Sequence, residues 1–318
     1  GLTVCNALSS EFEFLSHRGD KFTSYHFIKG EHIKSDDKIL QKWEGNPFLG
    51  VKVSLIPDET IFSTTLLPRK KIEEFFELIS YLNKGLHIDL RYDGDLNRFY
   101  NTDGVKGLLV KELKNRTIRY SNDGFVSITG EGVSDKGKKF EADIIFNIAN
   151  DKSECLLSFV NNMRTEKDGK HVSGFRAGLT AAINQYIKAN DLIPKNLAKL
   201  DTSAGIIRSY VAGVVSVKHS DPQFDGQTKE ELSSSDIEPF IKSLTYNVVL
   251  SWLNGNGKES KRIIELIIRE ARANEASKRA RESIIKGTSG KTSLVDDFDC
   301  SKFNPCSSKE YDKCELII

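Results

Sequence analysis

The sequence predicts an α+β protein with two domains. Length comes first: 318 residues are enough to build two separate hydrophobic cores. Period-two alternation and dense β-branched runs mark short strands in both halves. Apolar residues that recur every three or four positions mark helices, the clearest of them near the end.

Taken in order, residues 2–8 have the apolar spacing of a packed helix, with Gly1 where its N-terminus begins. Residues 11–14 and 22–27 read as strands joined by the turn His17-Arg-Gly-Asp20, with Phe12 and Phe14 on one face. Residues 51–55 form the next strand, ended by Pro57. A helix over residues 70–83 aligns Ile72, Phe75, Phe76, Ile79 and Leu82, and Asn83-Lys-Gly85 stops it. Residues 86–90 alternate as a strand that leaves His87 solvated.

Strands follow at residues 124–129 and 140–147, separated by the turn Ser134-Asp-Lys-Gly137. Residues 155–160 are apolar almost throughout, as in a strand covered on both faces. After Asp168-Gly169 comes a helix over residues 174–190, with Leu179, Ala182, Ile183, Tyr186 and Ile187 inward. The β-branched run at residues 211–218 is a buried strand. Pro222 and Gly226 then break regular structure and expose a loop. Ser235-Asp-Ile-Glu238 reads as a capping box opening a helix lined by Ile237, Phe240, Ile241, Leu244, Val248 and Trp252. Gly255 and Gly257 break it. A long helix over residues 259–285 begins amphipathic, through Ile264, Ile267, Ile268 and Ala271, and fades into alternating charge. Residues 287–291 have the composition of a hinge.

Composition narrows the class. Charged residues make up 29% and hydrophobic ones 38%, ordinary for a globular domain. A net charge of +1 gives no global nucleic-acid signal, so any such contact needs a local patch. The best candidate is residues 258–286, where nine basic side chains face five acidic ones. No run has the length of a membrane span and no signal peptide opens the chain. Five cysteines, an odd number, fit a reducing cytoplasm. Cys300, Cys306 and Cys314 lack the short spacing of zinc sites and read as ordinary thiols.

The loop Asp221-Pro-Gln-Phe-Asp-Gly-Gln-Thr-Lys229 ends in an amide, a hydroxyl and an ammonium, a set of donors suited to a polyanion. Alone, it also looks like a solvated turn. Three further motifs accompany it in order: Ser158-Phe-Val-Asn-Asn162, Gly169-Lys-His-Val-Ser-Gly-Phe-Arg-Ala-Gly-Leu-Thr180, and Ala271-Arg-Ala-Asn-Glu-Ala-Ser-Lys-Arg-Ala-Arg-Glu282. Together they resemble the B subunit of the bacterial type IIA DNA topoisomerases, the group of DNA gyrase and topoisomerase IV.

That resemblance implies the C-terminal part of a GHKL (Bergerat-type) ATPase domain at residues 1–110. It implies a βα transducer of ribosomal-protein-like fold at 111–286, then a linker and the first TOPRIM strand at 287–318. ATP and Mg2+ are the implied cofactors. Gly1 and Leu2, at a helix start, and Gln227 and Lys229 are the implied nucleotide contacts, with Lys229 also catalytic. Arg18 falls at the rim of the aminocoumarin pocket. The water-activating glutamate, the magnesium asparagine, the adenine aspartate and the glycine-rich lid are expected before Gly1, so the chain alone is expected to be inactive. Implied partners are DNA, the A subunit and a second B subunit met through the ATPase domain. The implied location is the cytoplasm, with no membrane contact.

Two departures from the family pattern stand out. Val51 occupies the position of a threonine that helps hold adenine, and Ser209-Tyr210 follow Arg208 where an acidic residue and a glycine are usual. The alternatives are a nucleotide-driven clamp of the chaperone or mismatch-repair type, and a structural RNA-binding module.

Overall fold

The computed structural model describes residues 1–18, 21–39, 50–152, 154–193 and 204–288. The chain forms two compact units, Gly1–Phe75 and Phe76–Ile318.

The first unit holds helix α1 (Leu2–Ala7) and a four-stranded antiparallel sheet in the order β3-β2-β1-β4. Its central strand β1 (Ser9–Arg18) pairs with β2 (Lys21–Ile28) and β4 (Gly50–Pro57), so Phe12 lies between Phe27 and Leu55, and Phe14 between Tyr25 and Val53. Phe12 is buried, with its ring edge-on to Phe27 at 6.1 Å. Edge strand β3 (Glu31–Ile39) is absent from the sequence reading, because its charged residues hide the alternation. Two expectations change here. Helix α1 forms but buries none of its residues. Arg18 is not in a turn: it is the last residue of β1, exposed and paired with Lys21.

Helix α2 (Arg69–Leu82) leads into the second unit, and the division between units falls within it. Leu82 is buried as expected, but Phe75 is 54% exposed; Leu78 and Tyr81 pack on the core instead. Asn83 and Gly85 end the helix as expected, Gly85 at φ 83°. The next strand, β5 (Ile88–Tyr92), lies two residues later than predicted. It forms a hairpin with β6 (Asp95–Phe99) through Asp93 and Gly94, both at positive φ. His87 is exposed and stacks on Tyr100 at 4.0 Å.

The second unit is organised by a five-stranded mixed sheet, ordered β10-β9-β11-β8-β7. These strands are β7 (Phe125–Val133), β8 (Lys139–Ile148), β9 (Cys155–Val160), β10 (Met163–Arg164) and β11 (Val211–His219). Strand β11 runs parallel to β9 and antiparallel to β8. Alternate residues serve two cores, as in a sheet covered on both faces. Ile145, Leu157, Phe159, Ala212 and Val214 meet Leu108, Leu109 and Leu113 of α3 (Val105–Asn115). The residue-110 boundary therefore falls inside a continuous helix. Ile144, Phe146, Val160, Val215 and Val217 share the other core with α4 (Lys170–Ala189), α6 (Ile237–Gly255) and α7 (Gly257–Thr288).

Helices α4 and α6 approach closely. A Cβ on Gly174 would stand 2.6 Å from the carbonyl oxygen of Glu238, and one on Gly178 2.5 Å from that of Lys242. The buried stripe of α6 is accordingly Ile237, Ile241, Thr245, Val249 and Leu253, while Phe240, Leu244, Val248 and Trp252 flank it, half-buried. Its predicted capping box does not form: the N-cap is Asp236, one residue later than Ser235, with no side-chain cap bond. Glu238 pairs with Lys170 at 3.4 Å, and Asp236 approaches His219 at 3.3 Å.

Helix α4 begins four residues before the predicted start, and α7 runs on through Gly287 and Thr288, where a hinge was expected. The predicted TOPRIM strand at residues 314–318 and Cys300, Cys306 and Cys314 lie outside the described residues.

Candidate functional site

The loop at residues 221–229 is more ordered than a bare turn. Phe224–Asp225 (β12) pairs with Glu231–Leu232 (β13), making residues 226–230 the tip of a small hairpin. Gly226 and Lys229 both adopt positive φ, 78° and 56°. At Lys229 this is a left-handed conformation that a non-glycine residue seldom takes. Gln227, Thr228 and Lys229 are exposed. The Lys229 ammonium lies 5.9 Å from the centre of the Phe224 ring, and among the described residues it makes no ion pair.

The base of the hairpin is fixed. Leu232 is fully buried, and its N–H donates to the carbonyl of Asp168 at 3.3 Å. The N–H of Lys167 donates to the carbonyl of Glu230 at 3.0 Å. Gly169 bridges to Leu232, and a Cβ there would sit 2.5 Å from the Leu232 nitrogen. Gln223 accepts from the Ser233 N–H and donates its own N–H to Ser234 Oγ at 2.8 Å.

Two of the sequence motifs build that base. Asn161 and Asn162, both left-handed, turn β9 into β10, and the side-chain amide of Asn161 holds the backbone of His219 through two hydrogen bonds. Asp168 Oδ2 accepts from Arg176 at 2.8 Å, and Arg176 also reaches Glu154 at 2.7 Å. Beneath them, Ser158 Oγ lies 2.6 Å from Thr165 Oγ1, which is 3.4 Å from Nε2 of the buried His171. Burial pushes His171 down to about 3, so it is neutral at physiological pH.

Arg208, the last residue of α5 (Ala204–Arg208), approaches Glu154 at 3.5 Å. Tyr210, where the family pattern has glycine, is buried and donates to Glu270 of α7 at 2.8 Å. Burial and that carboxylate push its hydroxyl up to about 12. Lys152 pairs with the same glutamate.

The predicted site residues thus fall into two sets. Gln227 and Lys229 share one hairpin tip in the second unit. Gly1, Leu2 and Arg18 belong to the first. Gly1 precedes α1 with no side-chain cap and Leu2 is exposed. Arg18 closes the far end of the ten-residue β1, roughly 30 Å from the end that α1 joins. Lys167 was missed, although its salt bridge to Glu230 at 2.8 Å is part of the hairpin. Among the described residues no group of three or more His, Cys, Asp or Glu side chains could hold a metal ion. No described helix is long and apolar enough to cross a membrane.

A profile of the family DNA gyrase B matches residues 104–283, more than half of the chain. The DNA gyrase B protein of Archaeoglobus fulgidus is 32% identical over 321 residues, taking in 100% of this chain and 48% of that protein. Its Enterococcus faecalis counterpart is 29% identical, with the same 100% and 48%. The chain therefore spans about half the length of the relatives it matches. Among solved structures, the topoisomerase IV ATP-binding domain of Francisella tularensis, in complex with a small-molecule inhibitor, aligns with a TM-score of 0.71 at 27% identity. That alignment covers 86% of this chain and 72% of the other. The 43K ATPase domain of Thermus thermophilus gyrase B, in complex with an aminocoumarin, gives 0.70 at 24%, covering 87% and 72%. The mixed α and β architecture is shared with both.

Proposed function

The chain belongs to the DNA gyrase B family, and from that premise we propose that it couples ATP turnover to DNA strand passage in a type II topoisomerase. The observation that carries this reading is the exposed Lys229 ammonium, free of any carboxylate among the described residues, on a hairpin whose base is locked into the core. Its free donors fit a terminal phosphate, and the exposed Gln227 amide offers a neutral donor beside it. Gly1 and Leu2 are proposed to meet the other phosphates through the amides of the α1 start. ATP bound there would supply the scissile phosphoanhydride, and Mg2+ its charge neutralisation.

A cation on the phosphoryl group that is transferred stabilises charge that grows in the transition state. Lys229 also distinguishes ATP from ADP, because only ATP presents a γ-phosphate to the loop. Such differential contact is what shifts an equilibrium between domain arrangements.

The functional division we propose assigns residues 1–110 to the ATPase domain, 111–286 to the transducer, and 287–318 to the linker and first TOPRIM strand. The family match starts at residue 104, just before α3, which places that helix with the second unit. DNA, the A subunit and a second B subunit are the proposed partners, in the cytoplasm, and Arg18 is the proposed rim of an aminocoumarin pocket. The clamp reading is not favoured, since the family match runs along the second unit.

The test is Lys229→Ala in the full-length protein, assayed with its partner for ATP-dependent supercoiling or relaxation. Turnover should fall by roughly a hundredfold or more while nucleotide binding changes little, and Lys229→Arg should rescue poorly. Parental ATP-dependent activity in Lys229→Ala would sink the assignment.

A further inference from the structure

The hairpin that presents Lys229 has the wrong net charge for its task. Between Phe224 and Leu232 stand three carboxylates, Asp225, Glu230 and Glu231, against one cation, Lys229. Left alone, such a tip repels a triphosphate, and the neighbouring glutamate competes for the Lys229 ammonium. At close range, attraction to such a carboxylate draws the ammonium toward the hairpin itself and away from a ligand.

The counter-charge comes from another loop. Lys167 Nζ lies 2.8 Å from Glu230 Oε2, while the Lys167 N–H holds the Glu230 carbonyl at 3.0 Å. Glu230 is therefore held at both side chain and backbone, and Lys229 is left without it. The Lys167 ammonium is held above the ordinary lysine value, chiefly by its hydrogen bond to Glu230 and then by that carboxylate's charge, with smaller contributions from Glu231 and Asp225. Its backbone is fixed in turn, because the next residue, Asp168, is tied to Arg176 and to the Leu232 N–H.

We propose that Lys167 is a positioning residue for Lys229: it neutralises the hairpin's carboxylates and clamps Glu230, so that the Lys229 ammonium stays available to the terminal phosphate. This rests on the reading of Lys229 as a phosphate contact. The pair itself is an exposed one, the Lys167 side chain being 69% accessible, so it contributes little to stability. Its consequence is to be sought in turnover.

The experiment uses the full-length protein with its partner and measures ATPase kcat, KM and thermal midpoint for four variants beside Lys229→Ala. Lys167→Gln should lower kcat about fivefold, the upper end for one exposed, screened charge contact, with KM and midpoint nearly unchanged. Lys167→Glu should lower it further. Lys167→Arg should stay within about twofold of the parent, since it keeps the charge. Lys167→Gln combined with Glu230→Gln should recover most of the loss, because the carboxylate that needed neutralising is gone. Parental kcat in Lys167→Gln, or a double variant no better than the single, overturns the proposal, as does a kcat loss that only follows a fallen midpoint. If Lys229→Ala retains parental turnover, the phosphate reading itself has failed and this one falls with it. If Lys229→Ala is inactive and Lys167→Gln is not, only the role of Lys167 is lost.

Discussion

The two sheets of this chain use similar strands and reach opposite ends. In the second unit, β11 reads buried at eight of nine positions, with α3 over one face and α4, α6 and α7 over the other. In the first, β4 carries Val51, Val53, Leu55 and Ile56 with exposures of 52%, 38%, 45% and 54%. Ser9, Phe12 and Asp58 are the buried residues of that unit among those described. β-branched runs therefore report which surfaces suit a pleated, covered strand; they do not say whether the covering element lies in the same chain.

The largest test of this contrast is hydrogen exchange on the whole chain. Amides of β8, β9 and β11 should exchange only through global opening, and those of β2 and β4 through local opening. The rates should differ by on the order of a thousandfold. Comparable protection in both sheets would show that the first unit is held by something other than burial of its own side chains.

Point substitutions sharpen the same comparison. Phe146→Ala removes a fully buried ring that meets Phe175 edge-on at 5.4 Å, and should cost about 3–5 kcal/mol in denaturant unfolding. Val53→Ala in the first sheet should change stability by less than about 0.5 kcal/mol. At the helix contact, Gly178→Ala forces a methyl against the Lys242 carbonyl and the Thr245 side chain, with an expected cost of about 1–3 kcal/mol.

A further test concerns pH. The folded pKa of His171, about 3, lies below its ordinary value of 6.5, so between these values the unfolded chain binds the extra proton. Stability is then lost as pH falls through that window, by at most about 1.4 kcal/mol per unit. His171→Leu should flatten the slope between pH 7 and pH 5 relative to the parent, as measured by urea midpoints.

Much of the second unit was legible in the sequence because its elements are long and regular. Strand β9 has the bounds predicted for it, and the inward face of α4 is the one its spacing marks. What stayed hidden was local chemistry overridden by tertiary contacts. Ser235-Asp-Ile-Glu238 is a good capping box, but the helix starts one residue late, with Asp236 at its N-cap, and Glu238 reaches Lys170 of α4 instead. The β5–β6 hairpin carried a readable signal in Asp93-Gly94 that went unused. Of the proposed site, Gln227 and Lys229 are marked by a motif, whereas Lys167 lies 63 positions from Glu230 and belongs to none of the motifs. The carboxylates flanking Lys229 were the one clue that a distant cation was needed.

The missing side chains of Gly174 and Gly178 have a mechanical consequence. At these two turns α4 sits directly on the backbone of α6, between Ile241 and Thr245, so sliding one helix along the other would drive backbone into backbone, while the pair can turn as one. One end of this plank begins at Gly169, against the hairpin; the other ends at Gly255, two residues before α7. A small push at the Lys229 hairpin would thus be delivered as a rotation at the root of a 32-residue lever, where an angle of a few degrees becomes a displacement of several ångströms at its far end.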